Sequence, residues 1–294
     1  MLGSKPPIVI GRFAPSPTGP LHLGSLYTAI GSFLDAHSKQ GRWLLRIDDL
    51  DTPRNIQGAD SLILKTLEVY GLHWDGQVRY QSRHINDYTE ALEQLINKRL
   101  VYRCYCSRKS SGSIYNGRCL QLVDNTINTP YSLRVKTDHR NLSFDDRLNG
   151  HLCHQLDLQH GDFILKRRDG IIAYQFAVVI DDYLQQVNEV VRGTDLLDIT
   201  PRQIYLQQLL ELPTPSYMHL PIIANNDGTK LSKQTKAKAV DLTRPTESIF
   251  FLLALLNQNP PVEIKDAKVS EQLNWAISHW QPTALAGIQT ISLH

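Results

Sequence analysis

Apolar residues fall in short continuous runs, separated by longer stretches in which they recur every three or four positions. Ile8-Val9-Ile10-Gly11-Arg12-Phe13 reads as a buried strand that runs into Ala14-Pro15-Ser16-Pro17-Thr18-Gly19-Pro20, where three prolines forbid helix and sheet alike. Helical spacing follows from about Gly24 to Lys39, a second strand spans Arg42 to Ile47, and residues 55–70 and 84–99 are again helical in pattern. This alternation predicts an α/β fold with a parallel sheet and crossover helices, whose ligands sit beyond the carboxyl ends of the strands. The proline-rich loop and the acidic stretch Asp48-Asp49-Leu50-Asp51 both fall at such ends.

From 101 to about 160 the rhythm breaks, with a cysteine-rich stretch, polar loops and one short strand near Tyr131 to Lys136, which marks an insertion. The pattern resumes in a hairpin, Phe163–Lys166 and Ile171 onward, turning at Arg168-Asp169-Gly170. A helix over Tyr174–Tyr183 and a strand near Glu189–Val191 follow. Thr200-Pro201 opens another helix, with the threonine read as its cap, and His219–Ala224 leads to a turn at Asn226-Asp227-Gly228. The expected organisation is therefore 1–100, first half of a catalytic domain; 101–160, insertion; 161–240, second half; and 241–294, a segment with two helices.

Composition narrows the class. The 294 residues carry 31 Lys+Arg against 29 Asp+Glu and are 41% hydrophobic, which excludes disordered and fibrous chains and small disulfide-stapled scaffolds. A net charge of +2 argues against a generic polyanion binder but leaves room for a local basic face. No apolar run is long enough to span a membrane or serve as a signal peptide, so a cytoplasmic chain without a membrane partner is expected. Of four cysteines, three lie between Cys104 and Cys119, a spacing that in a reducing compartment points to metal.

Three loops carry candidate chemistry. His22-Leu23-Gly24-Ser25 at a helix start offers backbone N–H groups, a glycine that admits a nucleotide closely, and an imidazole able to donate to phosphoryl oxygens. Asp48, Asp49 and Asp51 could hold an ammonium group or Mg²⁺, and Arg12 on the neighbouring strand supplies the opposite charge that a free amino acid needs. Lys230-Leu231-Ser232-Lys233 places two ammonium groups where they could close over a triphosphate. Taken singly, each is also what a capped helix, a solvated acidic loop or a soluble surface looks like.

Their order removes that ambiguity. Gly11 to Ser25, then Arg46-Ile47-Asp48-Asp49, then Val191-Arg192-Gly193-Thr194-Asp195-Leu196-Leu197, then Lys230-Leu231-Ser232-Lys233 closely resemble the catalytic domain of class I glutamyl-tRNA synthetases over residues 8 to about 245. Too little chain remains for an anticodon-binding domain, which is the pattern of that family's truncated branch, the glutamyl-queuosine tRNA(Asp) synthetases. The resemblance implies a Rossmann-like parallel sheet with a zinc-containing insertion and a small helical C-terminal part. It implies that Arg12, Phe13, Ala14, Pro15 and Ser16 line a glutamate site, that Asp48 takes the amino group, and that Tyr174 and Arg192 close it from the far side. His22, Gly24 and Asp195 would contact ATP, with Mg²⁺, and Lys233 with Lys230 beside it would belong to the KMSKS-type loop. Two departures stand out: Ser25 replaces the last histidine of the HIGH-type signature, and Asp48 replaces a glutamate, so a water could bridge the lost methylene.

Cys104, Cys106 and Cys119 supply three thiolates of a tetrahedral site. Chemistry alone would test His151 or His154, near Cys153, as the fourth ligand, with Cys153 a buried spectator. The resemblance instead implies Tyr115, around a structural Zn²⁺. The activity so implied is tRNA-independent formation of glutamyl-adenylate from glutamate and ATP, then transfer to the queuosine at the wobble position of tRNA(Asp), by a monomer. The alternatives are a shortened glutamyl-tRNA synthetase charging the tRNA 3′ end, and a glutamate or nucleotide sensor without turnover.

Overall fold

The structure is a computed structural model that describes residues 8–107, 112, 114–115, 117–121, 129–224 and 238–293. The strands are β1 (Ile10–Phe13), β2 (Arg42–Ile47), β3 (Arg79–Tyr80), β4 (Val101–Cys104), β5 (Ser132–Val135), β6 (Asn141–Asp146), β7 (Gly150–Gln155), β8 (Phe163–Lys166), β9 (Glu189–Gly193), β10 (Ser216–Leu220), β11 (Ile222–Ala224) and β12 (Thr290–Ser292). The helices are α1 (Leu23–Ser38), α2 (Ala59–Val69), α3 (Ile85–Asn97), the single turn α4 (Leu156–Gln159), α5 (Tyr174–Leu184), α6 (Thr200–Leu209), α7 (Pro245–Leu255) and α8 (Val269–Ser278).

β1 pairs parallel with β2, Ile10 opposite Arg42 through Phe13 opposite Leu45, and β2 pairs parallel with β3. β10 pairs parallel with β9 along its length and with β6 at Tyr217 and Asp146. The two groups meet where the Asn188 backbone N–H donates to the Ile10 carbonyl at 3.1 Å and the Asn188 side-chain oxygen accepts from Ile10 N at 2.8 Å, just ahead of β9. β1 and β9 thus run side by side at the centre of the molecule, and the loops after them open to the same edge, as expected for a ligand crevice in an open parallel sheet.

Both faces of this sheet are covered, so its strands read as continuous apolar runs. Period-two alternation sends Trp43, Leu45 and Ile47 into one core, with α1, α7 and α8, and Leu44 into the other, with α3, α5 and α6. Arg46 shares the second face with Leu44 and is 0% exposed, so its guanidinium has to be paired inside the protein.

Several sequence-based boundaries shift. The segment after the Arg168-Asp169-Gly170 turn pairs back on β8 through a short antiparallel bridge, Lys166 with Ile172, flanked by the bonds Arg167 N to Ile171 O and Ala173 N to Leu165 O, both 2.8 Å, and forms no longer strand. Thr200 is the first residue of α6, not its cap: its hydroxyl donates back to the Leu196 carbonyl at 3.1 Å. His219–Ala224 falls in two strands parted at Pro221, which has no N–H to give a ladder, and the turn at Asn226-Asp227-Gly228 lies outside the described residues. β6 and β7 form a hairpin whose first strand joins the central sheet beside β10, while β4, β5 and β8 form a separate antiparallel sheet that carries Cys104. β12, which the pattern did not show, pairs with β11. No helix among the described residues is long and apolar enough to cross a membrane.

Candidate active site

A cavity of about 270 Å³ opens at the carboxyl ends of β1 and β9. Its wall takes Arg12 to Ser16 from the first loop, His22 and Gly24 from the start of α1, Tyr174 from the start of α5, and Arg192 and Asp195 from the end of β9. Ten of the sequence-predicted residues thus share one space, drawn from segments far apart in the chain. Asp48 does not line it and lies behind the wall, and Lys230 and Lys233 lie outside the described residues. The described chain on either side of those lysines is near, since Ile222 and Ile223 line the cavity and Ala239 bridges to His22.

His22 caps α1, its Nδ1 accepting from Ser25 N at 3.2 Å. An accepting Nδ1 leaves the proton of a neutral imidazole on Nε2, which lies 3.0 Å from Ser25 Oγ. The serine that departs from the HIGH-type pattern therefore contacts the histidine that remains.

The two cavity arginines are held differently. Arg12 donates to both oxygens of Asp182, at 3.1 and 3.3 Å, and Asp182 also accepts from Arg46 Nη1 at 2.6 Å. Burial by itself would raise the Asp182 carboxyl; the guanidiniums of Arg12 and Arg46 overcome it and hold the group below the usual carboxylate range. Arg192 has no carboxylate partner among the described residues. Its Nε donates to His219 Nε2 at 2.9 Å and its Nη2 to Thr200 Oγ1 at 2.8 Å, and burial lowers its proton affinity below that of an ordinary arginine. An arginine in a cavity wall with its charge unbalanced by the protein is a site for an anion.

Asp48 accepts from Arg46 Nε at 2.7 Å, while its other oxygen is buried without a partner among the described residues. Burial dominates the Arg46 attraction and pushes the carboxyl up to about 6. Between the unfolded value and 6 the native state therefore binds the extra proton, so this group costs stability increasingly as pH rises through that window and to the full extent above it. The urea midpoint of Asp48→Asn, relative to the unsubstituted protein, is expected to be more favourable at pH 7.5 than at pH 4.5; an identical offset at both pH values would contradict the shift.

The second constellation lies at the end of β4. The thiols of Cys104, Cys106 and Cys119 lie within 4.8 Å of one another, the only such group among the described residues. Tyr115 OH is 3.4 Å from Cys106 Sγ, which is also 3.4 Å from Cys119 Sγ. A tetrahedral zinc with Zn–S bonds near 2.3 Å spaces its sulfurs roughly 3.8 Å apart, so the three sulfurs and the phenol oxygen fit its coordination shell. The phenol oxygen accepts from Cys119 N at 3.0 Å, and the Arg134 guanidinium sits 4.0 Å over the Tyr115 ring. Burial opposes ionisation of Cys106, but hydrogen bonds from Tyr115, Arg118 and the neighbouring thiols bring it down to about 6, suited to a metal-binding thiolate. His151 and His154 are elsewhere, on Asp145 and His160. Cys153 is exposed on β7, not buried as expected, because it falls on the outward phase of an edge strand.

A family model described as tRNA synthetases class I (E and Q), catalytic domain, matches residues 8–258. The chain belongs to that family of ligases. Among the curated relatives, the Glutamyl-Q tRNA(Asp) synthetase of Methylococcus capsulatus is 48% identical, with 92% of this chain and 90% of that protein covered. The protein of the same name in Pseudomonas syringae is 43% identical with 98% of each covered. Near-full-length identity at this level places the chain in the family's glutamyl-Q branch. A crystal structure of the glutamate-tRNA synthetase of Elizabethkingia anophelis aligns with a TM-score of 0.82 at 23% identity, over 97% of this chain and 68% of that one. It shares the class I catalytic fold.

Sequence reasoning missed the supports of the site. Arg46 stands in the Arg46-Ile47-Asp48-Asp49 run, Asp182 in the helix after Tyr174 and Thr200 at a helix start, yet the pattern assigns none of them a contact, and Asp146 and His219 belong to no motif. Their one signal is a charged or polar residue in a strand or helix otherwise built from apolar ones, such as His219 in Tyr217-Met218-His219-Leu220.

Proposed function

We propose that this chain activates glutamate without tRNA and then glutamylates the queuosine at the wobble position of tRNA(Asp), acting as a monomer in the cytoplasm. In the first step a glutamate α-carboxylate oxygen attacks the α-phosphorus of ATP, the bond to the β-phosphate oxygen breaks, and pyrophosphate leaves with glutamyl-adenylate formed. In the second, a hydroxyl of the queuosine cyclopentenediol attacks the acyl carbon, AMP leaves, the hydroxyl proton is lost and an ester remains. No side-chain nucleophile is required; the protein positions and stabilises charge.

The observation that carries this reading is the single cavity joining Arg12–Ser16, His22, Gly24, Tyr174 and Arg192. Glutamate lies against the Arg12–Ser16 loop, with a carboxylate on Arg192 and Tyr174 at the mouth. Asp48 takes the amino group through a water, since its carboxylate stands behind the wall. ATP lies at the helix start, with the hydrogen-bonded His22–Ser25 pair and the backbone near Gly24 at its phosphates and Asp195 on the nucleoside side. Mg²⁺ travels with the triphosphate. Lys230 and Lys233 belong to this reading as the pair that neutralises the departing pyrophosphate.

Zinc belongs to it through Cys104, Cys106, Tyr115 and Cys119. Bound there, the ion cross-links the cysteine-rich segment; these four residues fill its shell and leave no position for substrate.

Labelled glutamate offered with ATP to tRNA(Asp) with and without queuosine tests the proposal. Label confined to the queuosine-containing tRNA, released by mild base, is the expected result. Equal labelling of both tRNAs would instead favour charging of the 3′ end. Glutamate binding with no ATP–pyrophosphate exchange would favour a sensor, a reading motivated by Ser25 and Asp48.

A further inference from the structure

We propose that His219 and Asp146 are positioning residues for Arg192: a neutral imidazole, itself oriented by a buried carboxylate, aims the guanidinium into the cavity without neutralising its charge. This rests on the reading of Arg192 as a contact to a carboxylate of glutamate.

The placement comes from the sheet. Arg192 on β9 and His219 on β10 are direct partners in register, and Asp146 at the end of β6 borders β10 on its other side. All three are buried, at 4%, 0% and 3% exposure. Every nitrogen of a guanidinium is a donor, so the 2.9 Å contact from Arg192 Nε requires a lone pair on His219 Nε2. The imidazole proton is then on Nδ1, where it donates to Asp146 Oδ2 at 2.6 Å. Burial, stronger than the opposing hydrogen bond to Asp146, brings His219 down to about 4, so the ring is neutral at pH 7.

Thr200 completes the cradle. Its hydroxyl donates to the Leu196 carbonyl and accepts from Arg192 Nη2. Two of the three guanidinium nitrogens are thereby fixed, and Nη1 has no protein partner among the described residues. A carboxylate set directly against Arg192 would hold it more strongly but cancel the charge, as Asp182 does for Arg12. The interposed imidazole separates orientation from neutralisation, so the bound substrate supplies the counter-charge.

Asp146→Asn makes the idea testable without altering shape. Asp146 Oδ1 accepts from the backbone N–H groups of Leu148 and Asn149 and from the Asn149 side chain. These donors fix the amide oxygen of the replacement on that side and turn its NH₂ toward His219 Nδ1. The ring then carries its proton on Nε2, facing the Arg192 Nε–H, donor against donor.

In glutamate-dependent ATP–pyrophosphate exchange, D146N and H219L should each raise the glutamate KM about tenfold or more, with the ATP KM changed less than twofold. H219Q, which keeps an acceptor near the Nε2 position, should recover most of the loss. Nitrogen-15 NMR of the full-length protein should show the His219 proton on Nδ1, moving to Nε2 in D146N. Calorimetric titration of glutamate gives the same ranking without turnover. An unchanged glutamate KM in D146N and H219L, beside a large rise in R192A, would overturn the relay and leave the glutamate site standing. No effect in R192A would overturn that site itself. Parallel rises in glutamate and ATP KM, or equal loss in H219Q and H219L, would mark a purely structural role and also overturn the proposal.

Discussion

Replacing Asp182 by alanine should destabilise the folded protein by about 3–5 kcal/mol, because two buried arginines lose the carboxylate they share. Asp182 takes Arg12 Nε at 3.1 Å and Arg46 Nη1 at 2.6 Å, and Arg46, 0% exposed, cannot turn to solvent. Arg46 retains Asp48 and Asp181, at 2.7 and 3.7 Å, so the loss falls most heavily on Arg12, whose remaining contact is the Val191 carbonyl at 3.5 Å. In a chain of this size that corresponds to a fall in melting temperature on the order of 10 °C. Asp182→Asn, which keeps the shape and loses the charge, should fall between the two. Thermal melts followed by circular dichroism measure it, and a shift of a degree or less for alanine would mean that the network relaxes around the gap.

The second large effect is expected at the cysteine cluster. Purified protein should carry close to one equivalent of zinc, and Cys119→Ser should lose most of it, with the melting temperature dropping as the segment between β4 and β5 comes free. Tyr115→Phe separates the fourth ligand from the packing, since the ring beneath Arg134 stays while the oxygen that accepts from Cys119 N goes. A ten- to hundredfold weaker affinity for zinc is expected there if the phenol oxygen coordinates. Cys153→Ser, on the exposed face of β7, is the control and should change neither metal nor melting. Full zinc occupancy in Cys119→Ser would remove the cluster from consideration as a metal site.

The elements that could be read in advance were those with one dominant periodicity. Arg42–Ile47 is buried on both faces after Arg42 and carries the apolar run Trp43-Leu44-Leu45; the helices over 59–69 and 85–97 carry one apolar stripe each. Loops at strand ends were legible because proline and glycine restrict them and the chemistry of phosphate and carboxylate restricts the rest. What escaped depends on neighbours distant in the chain. Arg46 reads as a surface charge until its strand is known to be covered on both sides. His219 reads as a polar interruption until β9 and β6 flank it. Pro221 splits a strand, and β12 is too short to announce itself without β11 beside it. The displacement of Asp48 from the cavity wall likewise follows from Arg46, two residues earlier, drawing the carboxylate inward.

The pairing of β12 with β11 has a practical side. Ile222 and Ile223 face the cavity and precede in sequence the segment that carries Lys230 and Lys233, and Thr290 and Ile291 lie beside them in register. Cutting back the last six or so residues would strip β11 of its mate and offer a bare edge to other molecules.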